Sequence, residues 1–511
     1  MSDVSANGND PARSLSFPMS RSAIGVCIAG LTAMYLFRTT IATVDPDMWH
    51  ELTLARETLR RGTVPWENFS AYTTTVYPSV HHEWGAGMIA YPLVQFFGST
   101  GIVILRFLLC GATAWICWRN ARENGATVAI LSFLAPVAIL MADKGFSPVR
   151  AQMYTYMMTA LLLGWLRRDQ RGDRKWIALW LILFLMWVNL HAGFLVGAGF
   201  FALEWLERVF RGLPSRHLLA TGLVMIPAIA VNPYGWHYYG YLLHAVTLDR
   251  PLVDEWHPIW ADSFHHQLLF SASLLLLLYA VKHRLSDDLG LPIVAVAAIE
   301  AALHQRMLAI YAIAWVIHVP GWINRTELGS QMNSIWSRRE TLLKTFWGLI
   351  AVGFFALWIG GRPWAVRIPG TWSPVARNEV VYPVGPVKYL RTAGRKANLL
   401  TPFDSGAFVT WKLYPQVLVS LDGRYEVGYP PELATENWNL YMARDGWQAA
   451  LERFPTDLIL VPRTLPLAKA IRQCSDWKQV YGDDGFTIFA PADQDWPIEN
   501  RRGETFEGQI P

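Results

Sequence analysis

Long apolar runs follow one another along the first 361 residues, and they constrain the fold more than any other feature. The runs lie at 22–43, 84–97, 101–118, 125–142, 151–166, 176–190, 193–209, 217–231, 265–281, 289–303, 307–322 and 343–361. Most approach the roughly 20 residues that a helix needs to cross the core of a bilayer. Hydrophobic residues make up 52% of the chain and charged residues only 16%, whereas soluble domains carry about 25% charged residues. The sequence therefore predicts a mainly α-helical, polytopic membrane protein.

Basic residues predict which of these runs cross the membrane, because short loops rich in Lys and Arg stay in the cytoplasm. The basic clusters between the runs share one side only if the run at 84–97 does not cross, and this run is the shortest. We therefore expect about eleven transmembrane helices. The N-terminus is expected in the cytoplasm, a half-buried helix at 84–97 on the outer side, and the C-terminus outside.

The stretch 45–84, directly after the first run, holds an unusual density of ionisable and aromatic residues. Asp45 is a good helix N-cap, Pro46 suits the first helical position, and Gly62 suits the position after the end. We therefore predict an amphipathic helix on the membrane surface, followed by an irregular loop at 65–79. Its apolar face comprises Met48, Leu52, Ala55 and Leu59.

Residues 362–511 have a different composition and contain no run of membrane length. The patterns predict strands at 397–401, 416–421, 457–461, 478–482 and 485–490, and helices at 384–393, 405–414, 446–454 and 465–473. This alternation indicates a small extracytoplasmic α/β domain, separate from a membrane domain at 1–361. Neither Ser405-Gly406 nor Asp422-Gly423-Arg424 forms a nucleotide-binding pattern, and we assign this domain no catalysis. The net charge of only +4 predicts no nucleic-acid partner.

This order of features resembles the GT-C superfamily of membrane glycosyltransferases. The phrases DPDMWHEL, RRGTVPWENFSAYT, HHEW, WVNLHAGFLVG, NPYGW and FDSGAFVTWKLYPQVLVSLDGR resemble a bacterial GT-C-like group whose substrates are mostly unassigned. The resemblance implies a sugar donor linked to polyprenyl phosphate and a glycan, lipid or protein acceptor. It also implies transfer with inversion on the outer side of the bacterial inner membrane.

The resemblance implies that an acid in the first outer loop activates the acceptor or helps to bind a metal. Asp47 is our first choice for the catalytic base, with Asp45 second because Asp45 is the better helix cap. The alternative is that Asp45 only caps the helix and Asp47 only favours its first turn through the helix dipole. Both roles can hold together.

Imidazole and carboxylate side chains recur at the far end of the same stretch. His82 and Glu83, and after them His81, are candidates to bind a divalent metal, Mg²⁺ or Mn²⁺, or the acceptor. The alternative is an interfacial belt of His and Trp in front of the next helix.

Four further outer residues are candidates for the donor phosphate, and three more are secondary candidates. Arg150, Arg306, His304 and His191 are expected to bind the phosphate, since cations so close to membrane depth need a counter-charge or a wet cavity. Snorkelling is the alternative for Arg150, and plain hairpin chemistry is the alternative for the turn at 189–191. The secondary candidates are Asn189, Lys144 and Gln152.

Two other functions compete with glycosyl transfer. A transporter or lipid flippase would carry ionisable groups at mid-membrane and broken helices in related halves. Here the ionisable groups cluster at one face, and the sequence shows no internal repeat. A non-catalytic envelope scaffold is the second alternative, and it predicts that substitution of Asp47 or Arg150 leaves the phenotype intact.

Overall fold

The computed structural model describes residues 19–40, 43–146, 149–248, 250, 253–283, 289–372 and 380–510. Two predicted features extend beyond the described residues. The first apolar run at 22–43 includes residues 41 and 42, and the predicted outer turn at 143–150 includes residues 147 and 148. The helices are α1 (Arg21–Thr39), α2 (Pro46–Arg61), α3 (Trp84–Phe97), α4 (Ser99–Glu123), α5 (Val128–Phe146), α6 (Gln152–Gln170), α7 (Trp176–Leu190), α8 (Phe194–Phe210), α9 (Arg216–Ala228), α10 (His237–Thr247), α11 (Phe264–His283), α12 (Leu291–Leu303), α13 (Leu308–Asn324), α14 (Glu327–Gly360), α15 (Val384–Ala393), α16 (Phe403–Leu413), α17 (Pro431–Tyr441), α18 (Trp447–Glu452) and α19 (Pro466–Ile471). The strands are β1 (Ala397–Leu400), β2 (Val417–Val419), β3 (Leu458–Pro462), β4 (Trp477–Gly482), β5 (Phe486–Pro491) and β6 (Glu499–Asn500).

Helices of membrane length dominate the first 360 residues, which confirms the predicted fold class. Within the described ranges, six helices are long and apolar enough to cross a membrane: Arg21–Thr39, Ser99–Glu123, Val128–Phe146, Phe264–His283, Gln305–Asn324 and Glu327–Gly360. Trp176–Leu190 and Leu291–Leu303 are shorter apolar helices. The total of about eleven spans stays a prediction. The run at 84–97 is a helix of 14 residues with the predicted bounds, and its non-crossing position also stays a prediction.

The chain forms two compact units. The first comprises Met1–Arg38, Cys117–Asp143 and His257–Gly360, and the second comprises Thr39–Ile116, Lys144–Trp256 and Gly361–Pro511. Residues after 361 thus belong to one unit with the stretch 45–84. The division into a membrane domain at 1–361 and a C-terminal domain stays a prediction.

Close helix packing against tryptophan characterises the first unit. A Cβ atom on Gly30 would come within 2.5 Å of the Trp347 ring, so α1 approaches α14 at a residue without a side chain. Trp336 is 1% exposed, and its indole N–H donates to Ser132 Oγ over 2.8 Å. Buried indole groups with a satisfied N–H fix the registers of the helices that they join.

A six-stranded mixed sheet forms the centre of the C-terminal part of the second unit. Its strand order is β2-β1-β3-β5-β4-β6. β1 runs parallel to β2 and β3, while β5 runs antiparallel to β3 and β4. All five predicted strands and all four predicted helices of this part are confirmed. The sequence reading missed α17 and the two-residue strand β6.

The loop at 65–79 is not irregular throughout, because it extends the sheet. Ala71 forms a parallel bridge to Val419 in the edge strand β2. The Val419 N–H donates to Ser70 O over 2.9 Å, and the Tyr72 N–H donates to Val419 O over 3.2 Å. Backbone pairing with a distant strand leaves no local sequence signal, which explains why the prediction missed it.

Helix α2 has the predicted caps but is buried on more sides than an amphipathic surface helix. The Asp45 side chain accepts the Asp47 N–H over 3.0 Å, and Gly62 takes a left-handed φ of 74°. Leu59, assigned to the apolar face, is 57% exposed, whereas Glu51, which lies outside that face, is 1% exposed. Part of the reason is that α16 covers a second side of α2, where Trp49 packs edge-on against Phe408.

Candidate active site

Three carboxylates lie at the N-cap and on the first turns of α2, and burial raises the pKa of each of them. Burial raises the pKa of Asp47 well above its usual range, and the charges of Asp45 and Glu83 raise it further. Burial also raises the pKa of Asp45, although the Arg150 charge and the Asp47 N–H oppose this shift. The helix thus places a carboxyl group of raised proton affinity beside a second acid and a guanidinium.

Glu51 is the third carboxylate, and it is the most enclosed. Neither of its carboxyl oxygens accepts a hydrogen bond from an N–H or O–H group of the described residues. Burial raises the pKa of Glu51 well above its usual range, and the charges of Glu83 and Asp47 add to this shift. A Cβ on Gly87 would overlap with the Glu51 backbone oxygen, so α3 packs directly on this turn of α2.

Glu83 lies between two histidines that belong to different parts of the chain. The Nε2 atoms of His82 and His191 each lie 3.3 Å from Glu83 Oε1. Burial would raise the pKa of Glu83, but the His82 and His191 imidazoles outweigh it and hold that pKa below its usual value. Glu83 is therefore the carboxylate of this cluster whose charged form is most favoured.

Hydrogen bonds on the far side of His191 fix its orientation. The Gly193 N–H donates to His191 Nδ1 over 2.8 Å, and Thr155 Oγ1 lies 2.9 Å from the same nitrogen. The Trp187 indole N–H donates to Thr155 Oγ1 over 2.9 Å. Because a backbone N–H can only donate, Nδ1 accepts and Nε2 carries the proton toward Glu83.

His82 is held in a similar way from α10. The Tyr241 hydroxyl lies 2.8 Å from His82 Nδ1, and the two rings stack with centroids 5.4 Å apart. Nδ1 is thus occupied by Tyr241 while Nε2 faces Glu83. Both predicted histidines are therefore oriented toward one carboxylate.

Arg150 supplies a cation next to the α2 acids. Its Nη1 donates to Glu255 Oε1 over 2.7 Å and lies 3.9 Å from Asp45 Oδ2. Its buried Nε makes no hydrogen bond to the described residues. Arg150 therefore retains one N–H donor besides its ion pairs.

The C-terminal part contributes a turn to this site, although no catalytic role was predicted for this part from the sequence. A Cβ on Gly423 would lie 3.7 Å from Asp47 Oδ1. Arg424 Nε donates to Asp422 Oδ1 over 2.8 Å, and its Nη2 donates to Ser70 Oγ over 2.7 Å. The turn at 422–424 is thus held by a buried ion pair, and its Gly423 lies next to Asp47.

Burial and positive charge keep two further histidines neutral. Burial lowers the pKa of His50 to about 4, and the Arg424 charge contributes to this shift. Burial, followed by the Arg424 charge, also lowers the pKa of His81 well below its usual value. His81 Nε2 makes no hydrogen bond to the described residues.

The remaining predicted residues have different positions. Asn189 Oδ1 accepts the Trp84 indole N–H over 3.0 Å, which favours a structural role at the start of α3. Gln152 is 4% exposed at the first position of α6, and Lys144 is exposed. His304 and Arg306 belong to the first unit, where they lie at the end of α12 and in the turn Gln305–Met307.

One group of side chains in the described ranges has the spacing of a metal site, and it lies elsewhere. Asp143, His265 and His266 of the first unit place their ligand atoms within 4.8 Å of one another. The Asp143 carboxylate there already binds Arg38 and accepts from His266 Nε2 over 3.0 Å. Among the described residues, the acids and histidines around Asp47 do not form such a group.

Three residues next to the predicted site residues were not predicted from the sequence: Glu51, Tyr241 and Thr155. Glu51 was available as a signal, because its spacing of four residues from Asp47 places both on one face of a helix. Tyr241 and Thr155 gave no local signal. Their roles arise only from the packing of α10 and α6 against the two histidines.

No protein-family model and no curated protein matches this sequence. Among solved structures, the chain is similar to the oligosaccharyltransferase of Archaeoglobus fulgidus in its apo form, with 12% identity and a TM-score of 0.50, covering 93% of this chain and 75% of that chain. It is also similar to ArnT from Cupriavidus metallidurans bound to undecaprenyl phosphate, with 11% identity and a TM-score of 0.52, covering 92% of this chain and 98% of that chain. At these identities the likeness shows the fold.

Proposed function

On the premise that this chain has the GT-C glycosyltransferase fold predicted from its sequence, we propose that it is a membrane glycosyltransferase. Its donor is a sugar linked to polyprenyl phosphate, and its acceptor is a hydroxyl group on a glycan, lipid or protein. The observation that carries the proposal is the position of Asp47, a carboxyl of raised proton affinity beside Asp45 and Arg150. A base for the acceptor hydroxyl and a cation for the departing phosphate both contribute to sugar transfer from a phosphate ester.

Asp47 acts as the general base in the proposed reaction. The acceptor oxygen attacks the anomeric carbon as its proton passes to the Asp47 carboxylate, and the bond from that carbon to the phosphate oxygen breaks. The electron pair leaves with the lipid phosphate, and the sugar is transferred with inversion. A base works best when its pKa lies near the working pH, and the raised pKa of Asp47 moves it in that direction.

Arg150 binds the phosphate and stabilises the charge that it gains as the bond breaks. The ion pair with Glu255 uses Nη1 of Arg150, and the Nε–H group can donate to the phosphate. His191 is oriented toward Glu83. It acts on the headgroup of the lipid-linked donor only through that carboxylate. For Arg306 and His304, phosphate binding is a proposal from the sequence alone.

No step above uses a metal. If Mg²⁺ or Mn²⁺ binds this protein, the hard oxygen ligands that these ions prefer are most concentrated on α2. The Asp143, His265 and His266 group of the first unit, with two imidazoles, has a donor set better suited to zinc or another transition metal.

We place the protein in the bacterial inner membrane, with about eleven spans and the Asp47 site on the outer side. Cysteine labelling across α4 tests this topology. Thr100 and Arg122 are exposed near the two ends of that helix. In a variant without native cysteines, Thr100→Cys should react from outside and Arg122→Cys from inside. Labelling of both from one side would contradict the topology.

The proposed activity is tested in a deletion strain that expresses single variants. The glycans and lipids of strains carrying Asp47→Asn or Asp45→Asn are compared with those of the wild type by mass spectrometry. Asp47→Asn should reproduce the deletion profile, whereas Asp445→Asn, the same change at an exposed residue, should restore the wild-type profile. If stably produced Asp47→Asn and Asp45→Asn proteins both restore it, this loop is not catalytic.

A further inference from the structure

We propose that Asp143, His265 and His266 bind a divalent transition metal, with Zn²⁺ as the best fit, where the end of α5 meets the start of α11. All three residues belong to the first unit. One ligand atom from each lies within 4.8 Å of the other two. The proposal does not rest on glycosyl transfer, because none of the three residues acts in that reaction.

The two histidines are adjacent in the chain, yet both approach the same carboxylate. Side chains at neighbouring positions of a helix point about 100° apart and do not normally face each other. Here the ring centroids of His265 and His266 lie only 4.0 Å apart, and a ring nitrogen of each lies near an Asp143 oxygen. His266 is buried and His265 is exposed. Among the described residues, the contacts to Asp143 and Asp262 use the buried ring, whereas a metal would use both rings.

A carboxylate on the far side of His266 orients this ring as a metal ligand. His266 Nδ1 lies 3.2 Å from Asp262 Oδ2 and 3.0 Å from Ser263 Oγ. Its other nitrogen, Nε2, lies 3.0 Å from Asp143 Oδ1. A histidine that binds a metal through one nitrogen commonly donates its other N–H to a carboxylate, which fixes the tautomer. When the Nδ1–H group donates to Asp262, Nε2 presents its lone pair to the metal beside Asp143 Oδ1.

Arg38 holds the Asp143 carboxylate from the opposite side. Its Nε donates to Asp143 Oδ2 over 2.8 Å, and its Nη2 contacts the same oxygen. Oδ1 is therefore the oxygen that faces the histidines. Carboxylates that bind a metal are in turn hydrogen-bonded by the groups around them, and Arg38 supplies these hydrogen bonds here.

The charges of this cluster also favour a bound cation. With both imidazoles neutral, Asp143 and Asp262 together exceed the charge of Arg38 by one negative charge. When Nδ1 carries the proton of neutral His266, Nε2 and Asp143 Oδ1 are two acceptors that face each other over 3.0 Å, and a cation must lie between them. A proton takes this position when no metal is bound, and it passes to solvent when the metal binds, because a ligating imidazole is neutral.

Two imidazole nitrogens and one carboxylate oxygen suit zinc better than magnesium or calcium, which prefer oxygen ligands. Zinc with three protein ligands takes water or another ligand as the fourth. Zn–N and Zn–O bonds of about 2.0–2.2 Å place tetrahedral ligands roughly 3.4 Å apart, so the ligand atoms must approach one another slightly. The exposed His265 side chain, on the first turn of α11, can make this movement. The bound metal would link α5 to α11.

Zinc binding to the full-length, tag-free protein in detergent micelles tests the proposal. Metal is removed with EDTA, Zn²⁺ is titrated in by calorimetry, and the metal content is measured by mass spectrometry. We expect one Zn²⁺ per chain in the wild type and a loss of affinity of at least about 100-fold in His265→Ala. Asp262→Asn, which changes the partner of His266 Nδ1, should cost about 10–100-fold. His283→Ala, at an exposed histidine on the last turn of α11, should bind zinc as the wild type does.

Thermal unfolding separates loss of the site from misfolding. His265 is exposed, so His265→Ala should fold as the wild type does and show the same Tm without metal. A ligand that binds only the folded protein raises its Tm with ligand concentration. Zn²⁺ should therefore raise the Tm of the wild type and of His283→Ala, and it should leave the Tm of His265→Ala unchanged.

Three outcomes would overturn the proposal. The first is a wild type that takes up no zinc after EDTA treatment, and the second is wild-type zinc affinity in His265→Ala. The third is zinc binding that is lost in Glu83→Gln but kept in His265→Ala, which would place the metal beside Asp47. The glycan and lipid profile of Asp47→Asn tests glycosyl transfer separately, so either proposal can fail while the other holds.

Discussion

Replacement of Gly193 with alanine should disrupt the hydrogen bonds that orient His191. A Cβ at this position would overlap with Thr155 Oγ1 and lie 2.6 Å from His191 Nδ1. Thr155 is β-branched and stiff, and its hydroxyl is held by Trp187. His191 must therefore move by roughly 1 Å, a displacement that can cost about 100-fold in rate when it misplaces a site.

The same change should also lower stability, and α8 offers a matched control. Overpacking of this kind costs about 1–3 kcal/mol. At Gly199 on α8, an added Cβ meets nothing within 4 Å, and alanine in a helix interior stabilises by about 0.5–1 kcal/mol. Thermal unfolding in detergent should therefore rank Gly199→Ala above wild type and Gly193→Ala below it.

Activity and stability together decide whether this reasoning holds. We expect Gly193→Ala to lose transfer activity at temperatures where the protein is still folded, while Gly199→Ala keeps it. If Gly193→Ala is as stable and as active as Gly199→Ala, then the Gly193 contact does not orient His191. The proton on His191 Nε2, directed toward Glu83, would then no longer be fixed by the Gly193 N–H.

Two further predictions concern the acids and the C-terminal turn. Asp47 binds its proton more tightly in the folded chain than in the unfolded chain, so wild-type stability should fall as pH rises through and above the usual range of an Asp carboxyl. Asp47→Asn cannot titrate and should be the more stable protein at pH 8 in a thermal melt, and equal pH slopes for the two would refute this. Arg424→Ala leaves Asp422 buried without its partner and should cost about 3–5 kcal/mol, whereas Arg453→Ala breaks an exposed pair and should cost about 0–1 kcal/mol. Chemical unfolding of both variants measures the difference, and similar losses would contradict the assigned burial of the turn.

Local signals in the sequence were sufficient for much of the secondary structure. Asp45 and Gly62 fixed the ends of α2, because caps depend on the chemistry of single residues. Short, mostly apolar runs between helix patterns indicated β1 to β5, because buried strands are short and apolar on both faces. Helix α17 was not predicted, although Pro431 at its first position and the helical spacing of Leu433, Ala434, Leu440 and Tyr441 are helix signals.

The candidate site was predictable only in part. Asp45, Asp47, His82, Glu83 and Arg150 stand out in a sequence because polar groups near membrane depth are costly. Glu51 shares a helix face with Asp47, but its burial could not be predicted, because a carboxylate on an amphipathic helix is normally solvated. Its burial depends on α3 and α16, which lie far apart in the chain.

The sequence by itself determined that this chain is a helical membrane protein with an acidic and aromatic stretch directly after its first apolar run. The length of an apolar run, the cap of a helix and the pattern of a strand are local properties. They depend on residues that lie close together in the chain. Only the tertiary structure decided that Glu83 lies between His82 and His191 and that Gly423 lies against Asp47. The physical reason is that proton affinity and orientation depend on burial and on neighbouring charges, and distant segments supply both.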